Sequence, residues 1–197
     1  MPIRICSSSE MKELDRIAEE EYGIQAQILM ENAGRAAVQV LFDYYPGAGK
    51  ETEILVFAGK GNNAGDAFVV ARRLICLDRR VRVFLLSDPK NFSGATRANF
   101  EILSRMSARV FQLETSADLE SFFRSSVGPF TIIDGMLGTG LKGNLDGIYY
   151  DIVEMLNAQK IDQVIALDIP SGVNGDSGAV QGASCLLYTS PSPRDDR

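Results

Sequence analysis

The chain has 197 residues, no histidine, and a formal net charge of −6 at neutral pH. This length is enough to bury one full α/β core. The acidic balance argues against general nucleic-acid binding, which needs clustered lysines and arginines. No apolar run is long enough to span a bilayer. The absence of histidine excludes Ser-His-Asp and Cys-His nucleophilic schemes, so carboxylates, lysines, tyrosines or water must carry any proton transfer.

The three cysteines, Cys6, Cys76 and Cys185, are far apart and show no C-x-x-C spacing. A disulfide framework and a structural zinc site are therefore not expected. The N-terminus lacks the charged, apolar and small-residue regions of a signal peptide, which predicts a cytoplasmic location.

Two helices are predicted before the first strand. Ser7 and Glu10 have the spacing of a capping box, and apolar residues then repeat at helical intervals until Gly23. A second helix is predicted over residues 26–43. Its predicted apolar face consists of Met30, Ala33, Ala37 and Val40.

Strands and helices alternate along the rest of the chain. The predicted strands cover residues 54–57, 81–86, 109–113, 130–134 and 164–168. The helices between the later strands are predicted at residues 94–106, 119–123 and 146–158. This alternation predicts an α/β fold, a Rossmann-like doubly wound and mostly parallel sheet with helices on both faces. Right-handed crossovers would place the first strand beside the fourth, and the fifth strand beside the fourth.

A glycine-rich turn, GKGNNAGD at residues 59–66, follows the first strand and precedes a helical pattern that carries Phe68 and Leu74. A strand, a glycine turn and a helix in succession point backbone N–H groups at an anion, usually a phosphate. The spacing is G-x-G-x-x-x-G rather than the dinucleotide fingerprint G-x-G-x-x-G. A tight connection between a strand and a helix does not require three polar side chains, so Asn62, Asn63 and Asp66 indicate more than a turn.

Polar side chains also follow the fourth and fifth strands, whereas strands two and three end in SDPKN and ETS, which carry no motif. The ends of strands one, four and five should meet at the topological switch point of the sheet. Asn63, Asp134 and Ser171 would there offer an amide oxygen, a carboxylate and a hydroxyl to an alkali or alkaline-earth cation. Asp134 could instead cap the turn that follows it.

Asp168 ends the fifth strand, and a partly desolvated carboxylate at that position is suited to act as a general acid or base. The alternative is a hydrogen-bonding role in the tight turn that Pro170 and Gly172 impose. The loop at residues 138–144 offers backbone donors and Lys142 to a phosphate. It could also be a plain surface loop.

The last 13 residues, CLLYTSPSPRDDR at 185–197, differ in character from the rest of the chain. The stretch CLLYTSPSPRD resembles the in-frame translation of a common sequencing-library adapter, and we interpret residues 185–197 as non-native. The alternative is a genuine disordered tail. On the first interpretation, residues 1–184 are one domain whose C-terminal strand or strands are missing.

Four segments, LMENAGRAA, AGKGNNAGDAFVVAR, IDGMLGTGLKG and ALDIPSGVNGDSG, occur in this order. In order and spacing they resemble the NAD(P)H-hydrate epimerase family, also called the YjeF N-terminal domain, over residues 7 to about 184. The resemblance implies a Rossmann-like isomerase that interconverts the R and S epimers of hydrated NADH and NADPH. A companion dehydratase that uses ATP or ADP would then restore the cofactor from the S form.

The resemblance also implies site residues. It assigns potassium (K+) coordination to Asn63, Asp134 and Ser171, and we expect Asp168 to be catalytic. The substrate-binding residues that it implies are Asn62, Asn63, Ala64, Gly65, Asp66, Gly138, Thr139, Gly140, Leu141, Lys142, Gly143, Asn144 and Asp168. A homodimer is expected, with no nucleic-acid or membrane partner.

The sequence departs from the family pattern GNNGGDG at two positions, where Ala64 and Ala67 replace glycines. A methyl group at position 64 matters if that residue needs a positive φ or lies against the ligand.

A non-catalytic interpretation stays open at this point. The same fold resembles a dimerisation and RNA-linked scaffold domain of mRNA-decapping enhancers, and a regulatory nucleotide sensor is a third interpretation. A scaffold would not need the oxygen ligands or Asp168, and RNA binding would need a basic surface.

Overall fold

The computed structural model describes residues 6–159, 161 and 163–185, so most of the predicted non-native tail lies outside the described residues. One sheet contains β1 (Glu53–Ala58), β2 (Val81–Leu85), β3 (Arg109–Gln112), β4 (Phe130–Gly135) and β5 (Gln163–Ala166). All four strand pairings are parallel, and the order is β3-β2-β1-β4-β5. This order confirms the prediction that the first and fifth strands both lie beside the fourth.

Helices cover both faces of the sheet, as predicted. They are α1 (Ser8–Glu20), α2 (Ala26–Tyr44), α3 (Asn62–Cys76), α4 (Gly94–Ser104), α5 (Ser116–Ser125) and α6 (Gly147–Ala158). α3 packs against α2 and α4 on one face, whereas α5 and α6 contact each other on the opposite face. Within the described parts of the chain, no helix is both long and apolar enough to cross a membrane.

The central strand β1 is buried on both faces. Ile54 and Val56 belong to the core under α3, and Leu55 and Phe57 belong to the core under α6. This alternation follows from the two-residue period of a strand, and a strand buried on both sides reads as a continuous apolar run. Because β1 is fixed in the middle of the sheet, the glycine turn that follows it lies at the centre of the carboxyl edge.

The predicted apolar face of α2 was wrong in part. The residues that α2 buries are Met30, Gly34, Val38 and Leu41. Ala33 and Val40 are exposed. α2 is turned about its axis relative to the prediction, because Gly34 makes a close contact with α3. A Cβ atom on Gly34 would lie 2.5 Å from Cγ1 of Val69. The apolar pattern of α2 did not reveal that its smallest residue makes the closest contact.

We predict that Gly34→Ala lowers the free energy of unfolding. Overpacking a buried contact costs about 1–3 kcal/mol, which exceeds the gain of up to about 1 kcal/mol from the better helix propensity of alanine. Urea denaturation followed by circular dichroism measures the difference. Ala36→Gly, at an exposed position of α2, is the control that reports helix propensity alone. A Gly34→Ala protein that is as stable as the wild type would contradict the close crossing.

Candidate functional site

The helix after the glycine turn begins earlier than predicted. α3 starts at Asn62 with Gly61 as its N-cap, so NNAGD forms the first turn of the helix and not the end of the glycine turn. Ala64 and Ala67 are fully buried, and neither has a positive φ. A glycine conformation is therefore not needed at position 64, and the methyl group faces protein.

Asn63, Asp134 and Ser171 lie together at the carboxyl edge of the sheet. The backbone N–H of Ser171 donates to Oδ2 of Asp134 (2.8 Å), and its hydroxyl donates to Oδ1 (2.6 Å). Leu137 connects the cluster to Asn63: its carbonyl accepts from Nδ2 of Asn63 (2.9 Å), and its N–H donates to Oγ of Ser171 (2.9 Å). Met136 N–H also donates to Asp134 (3.2 Å). Asp134 therefore caps its turn as well as holding Ser171.

The donor set suits a monovalent cation. Oδ1 of Asn63 is buried and has no hydrogen-bond partner among the described residues, and the amide nitrogen of Asn63 donates to Leu137. A buried acceptor without a donor is costly unless a cation or water satisfies it. Burial raises the pKa of Asp134, although its hydrogen bonds act in the opposite direction. One carboxyl group among neutral oxygens offers little negative charge, which favours a weakly charged hard cation such as potassium.

Asp168 does not occupy the environment that the sequence predicted. It lies two residues beyond β5, is exposed to solvent, and has a left-handed backbone with φ of 63°. The expected partial desolvation is therefore wrong, because Leu167 is the last buried residue before the chain turns outward. The Asp168 carboxylate accepts a hydrogen bond from the N–H of Thr139 (2.9 Å). It thus joins the loop after β5 to the loop after β4.

Asp66 is a second carboxyl group, besides Asp134, that the protein desolvates. It lies on α3, largely buried, and faces the carboxylates of Asp168 and of Asp15 on α1. Desolvation, followed by repulsion from these two charges, raises the pKa of Asp66 to about 7. An acid with this pKa can either hold or release a proton at neutral pH, as acid–base catalysis requires.

The loop at residues 138–144 is only partly at the site. A Cβ atom on Gly138 would lie 2.4 Å from Oδ2 of Asp168 and 3.6 Å from Cβ of Asn63, and Thr139 binds Asp168. Leu141 is half-buried. The other members of this loop are exposed, namely Gly140, Lys142, Gly143 and Asn144.

Two contributors to the site were missed at the sequence level. The backbone carbonyl of Leu137 has no sequence signal, since every residue carries one. Asp15 on α1 repels the carboxylate of Asp66, and the start of α1 is held to the loop after β5, where the N–H of Ser8 donates to Asp176 (2.8 Å). A helical pattern predicts α1 but not where the helix packs.

Residue 185 also contacts the cluster. Cys185 is buried, and its N–H donates to the carbonyl of Ser171 (2.9 Å). Its thiol makes a hydrogen bond with the carboxyl group of Asp134. Burial raises the pKa of this thiol. The interpretation of residue 185 as the start of a non-native segment stays a prediction, and the residue at this position is in contact with the candidate cation site.

These features define a Rossmann-like α/β protein with a polar ligand site at its topological switch point. The family described as "YjeF-related protein N-terminus" matches residues 26–188. The chain belongs to this family.

Two relatives agree with this assignment, and a solved structure agrees with the fold. The chain is 32% identical to the NAD(P)H-hydrate epimerase of Elusimicrobium minutum, over 92% of this chain and 81% of that protein. It is 35% identical to the bifunctional NAD(P)H-hydrate repair enzyme Nnr of Moorella thermoacetica, over 94% of this chain but 34% of that protein. The chain thus spans about a third of the bifunctional relative. The crystal structure of yeast ynu0 (YNL200c) shares the fold, with a TM-score of 0.77 and 24% identity over 92% of this chain and 76% of that one.

We predict that the wild type loses stability as pH rises from 4 to 8 because Asp66 ionises, and that Asp66→Asn does not show this loss. The pKa of Asp66 rises from 3.8 to about 7 on folding, so its protonation favours the folded state at low pH. That contribution is fully present below about pH 4 and is lost progressively as pH rises to about 7. One pKa unit corresponds to about 1.4 kcal/mol, so Asp66→Asn should gain up to about 4 kcal/mol over the wild type between pH 4 and pH 8.

Denaturant unfolding of both proteins at several pH values, in buffer without potassium, measures this difference. Asp151→Asn, at an exposed position of α6, is the control and should follow the wild type. A constant difference between Asp66→Asn and the wild type across this pH range would show that Asp66 titrates normally.

Proposed function

We propose that this protein is an NAD(P)H-hydrate epimerase, an isomerase that interconverts the R and S epimers of hydrated NADH and NADPH. The observation that carries the proposal is the meeting of Asp66, Asp168 and the Asn63–Asp134–Ser171 cluster at one sheet edge. The relatives named NAD(P)H-hydrate epimerase support the same activity.

The substrate is held by the segments that flank these carboxyl groups. Residues 62–66 form the first turn of α3, whose free N–H groups and dipole favour the phosphates of a dinucleotide. In the loop at residues 138–144, Gly138 and Thr139 lie beside Asp168, and the exposed Lys142 is available to a phosphate.

The proton-transfer work falls to two carboxyl groups. In one route, Asp66 protonates the ring hydroxyl, which leaves as water while the ring nitrogen forms a double bond to the same carbon. Water then adds to the opposite face and gives up a proton to Asp168. In the other route Asp168 removes the hydroxyl proton and Asp66 protonates the ring nitrogen as the carbon–nitrogen bond opens to an aldehyde. The nitrogen then attacks the other face of the aldehyde and returns its proton to Asp66, while Asp168 returns a proton to the new hydroxyl. A pair of carboxyl groups in unlike environments suits both routes.

Potassium is the cation that we propose for Asn63, Asp134 and Ser171, with the carbonyl of Leu137 close by. The unsatisfied Oδ1 of Asn63 supports this choice. Bound there, potassium would supply a fixed positive charge at the edge of the sheet.

The wider setting of the reaction is part of the proposal. A companion NAD(P)H-hydrate dehydratase would consume the S epimer in the cytoplasm, and some relatives are named as bifunctional repair enzymes. We also propose a homodimer, because α1 leaves Met11 and Leu14 about half exposed and a second copy would cover them. The decapping-scaffold alternative is not favoured, since the relatives carry enzyme names.

We predict that the wild-type protein converts purified R-hydrate into the S form and that Asp168→Asn does not. Loss of a general acid or base costs about 10²–10⁴-fold in rate. Asparagine tolerates left-handed backbone, so the fold and the contact with Thr139 should survive. Chiral chromatography of the hydrates at short times, above a protein-free background, measures the rate. Full activity of Asp168→Asn would exclude Asp168 from the mechanism.

The same assay tests the cation. Replacing potassium by tetramethylammonium should lower the rate in the wild type, and Asn63→Ala should lose the potassium response. Asp151→Asn is again the control, and equal rates with and without potassium would contradict the proposed cation site.

We predict that Gly138→Ala impairs epimerisation more than Gly140→Ala does. A methyl group at position 138 would meet Oδ2 of Asp168 at 2.4 Å, whereas position 140 has open space around it. Displacing a reacting group by about 1 Å can cost roughly a hundredfold in rate. The two variants lie in one loop and change the backbone equally, so equal activities would show that the position of Asp168 is not set by Gly138.

A further inference from the structure

A second concave site lies at the same sheet edge, beyond the motifs that the sequence singled out. It is a cavity of about 530 Å³ at the ends of β2 and β3. This volume is in the range of small-molecule sites. Pro89, Phe100 and Val110 give it apolar walls, and Asp88, Gln112 and Glu114 give it polar groups.

The strand order sets the distance between this cavity and the candidate active site. β1 separates β2 and β3 from β4 and β5. Three strand spacings of about 4.8 Å give roughly 14 Å between the two sites. The glycine turn and the N-terminus of α3 lie between them, where a pyrophosphate would bind. The hydroxyl of Thr96, near the start of α4, donates to the carbonyl of Gly61 (3.2 Å), which fixes the cavity wall to the turn.

We propose that this cavity binds the adenosine half of the dinucleotide, and that Asp88 makes the protein favour hydrated NADH over hydrated NADPH. This inference rests on the proposed function and names the part of the substrate that the active site itself does not recognise. In doubly wound folds a dinucleotide lies across the switch point, and an acidic residue about 20 positions after the glycine turn binds the adenosine ribose.

The polar groups match adenosine. Gln112 donates its amide N–H to the carbonyls of Leu85 (3.3 Å) and Leu113 (3.4 Å). Its amide oxygen therefore remains available to accept from the exocyclic amine of adenine. The apolar walls suit the faces of the purine ring.

The charge of the cavity distinguishes the two cofactors. Asp88 caps the 3-10 turn Pro89–Asn91 by accepting from the N–H of Lys90 (2.8 Å) through Oδ1. Oδ2 lies 3.8 Å from Nζ of Lys90, whose side chain is 90% exposed. A ribose 2′-hydroxyl can donate to Oδ2, whereas a 2′-phosphate would face the charges of Asp88 and Glu114. Repulsion between like charges gives specificity against the phosphate.

The experiment compares R-hydrates of NADH and NADPH with the wild type and Asp88→Asn. Asparagine keeps the turn cap and removes only the charge. We expect the wild type to favour hydrated NADH in kcat/KM by about tenfold or more. Asp88→Asn should reduce this preference by lowering KM for hydrated NADPH. Asp151→Asn should keep the wild-type preference.

A binding measurement tests the cavity independently of turnover. AMP is titrated calorimetrically into the wild type and into Val110→Phe, which fills the cavity, after both proteins are shown to melt cooperatively. AMP should bind the wild type, and Val110→Phe should lose most of that affinity. The inference would be overturned if Asp88→Asn kept the wild-type preference for hydrated NADH. It would also be overturned if Val110→Phe bound AMP as tightly as the wild type. If the wild type converts neither hydrate, the proposed function fails, and AMP titration still decides whether the cavity holds adenosine.

Discussion

A buried carboxyl group, that of Asp134, holds the carboxyl edge of this sheet together. Its two oxygens accept from the backbone and the hydroxyl of Ser171, which arrives from the loop after β5. Removing the partners of a buried carboxylate costs about 3–5 kcal/mol, a large part of the stability of one domain. The loop after β5 must therefore stay folded onto β4. Leu137 and Asn63 take their positions from the same cluster, so the geometry of the whole site depends on it.

The remaining carboxyl groups acquire different roles from different surroundings. Asp66 is held in a helix, largely out of water and near two other acids, and its pKa rises to about 7. Asp168 projects into solvent from a left-handed turn. An epimerase that both gives and takes a proton needs such an unequal pair. The strand order places this pair on one side of the glycine turn and the cavity that we propose for adenosine on the other, so one edge of the sheet has room for both halves of a dinucleotide.

Much of the fold could be predicted because its signals are local. The apolar run of β1 shows a strand buried on both faces, and the right-handed crossover rule then gives its neighbours. The convergence of Asn63, Asp134 and Ser171 follows from that order. The environment of each side chain could not be predicted in the same way. The burial of Asp66, the exposure of Asp168 and the rotation of α2 around Gly34 depend on contacts between residues far apart in the chain.

The amino-acid sequence by itself determined the parallel sheet, its strand order and the residue types that gather at its carboxyl edge. Periodicity, turn chemistry and chain handedness act over short stretches, and they can be read without coordinates. Only the tertiary structure decided which carboxyl group is desolvated, which backbone carbonyl lies beside Asn63, and that a cavity opens beside Asp88. Those properties depend on how much water remains around a particular atom, and this is fixed by the packing of distant segments.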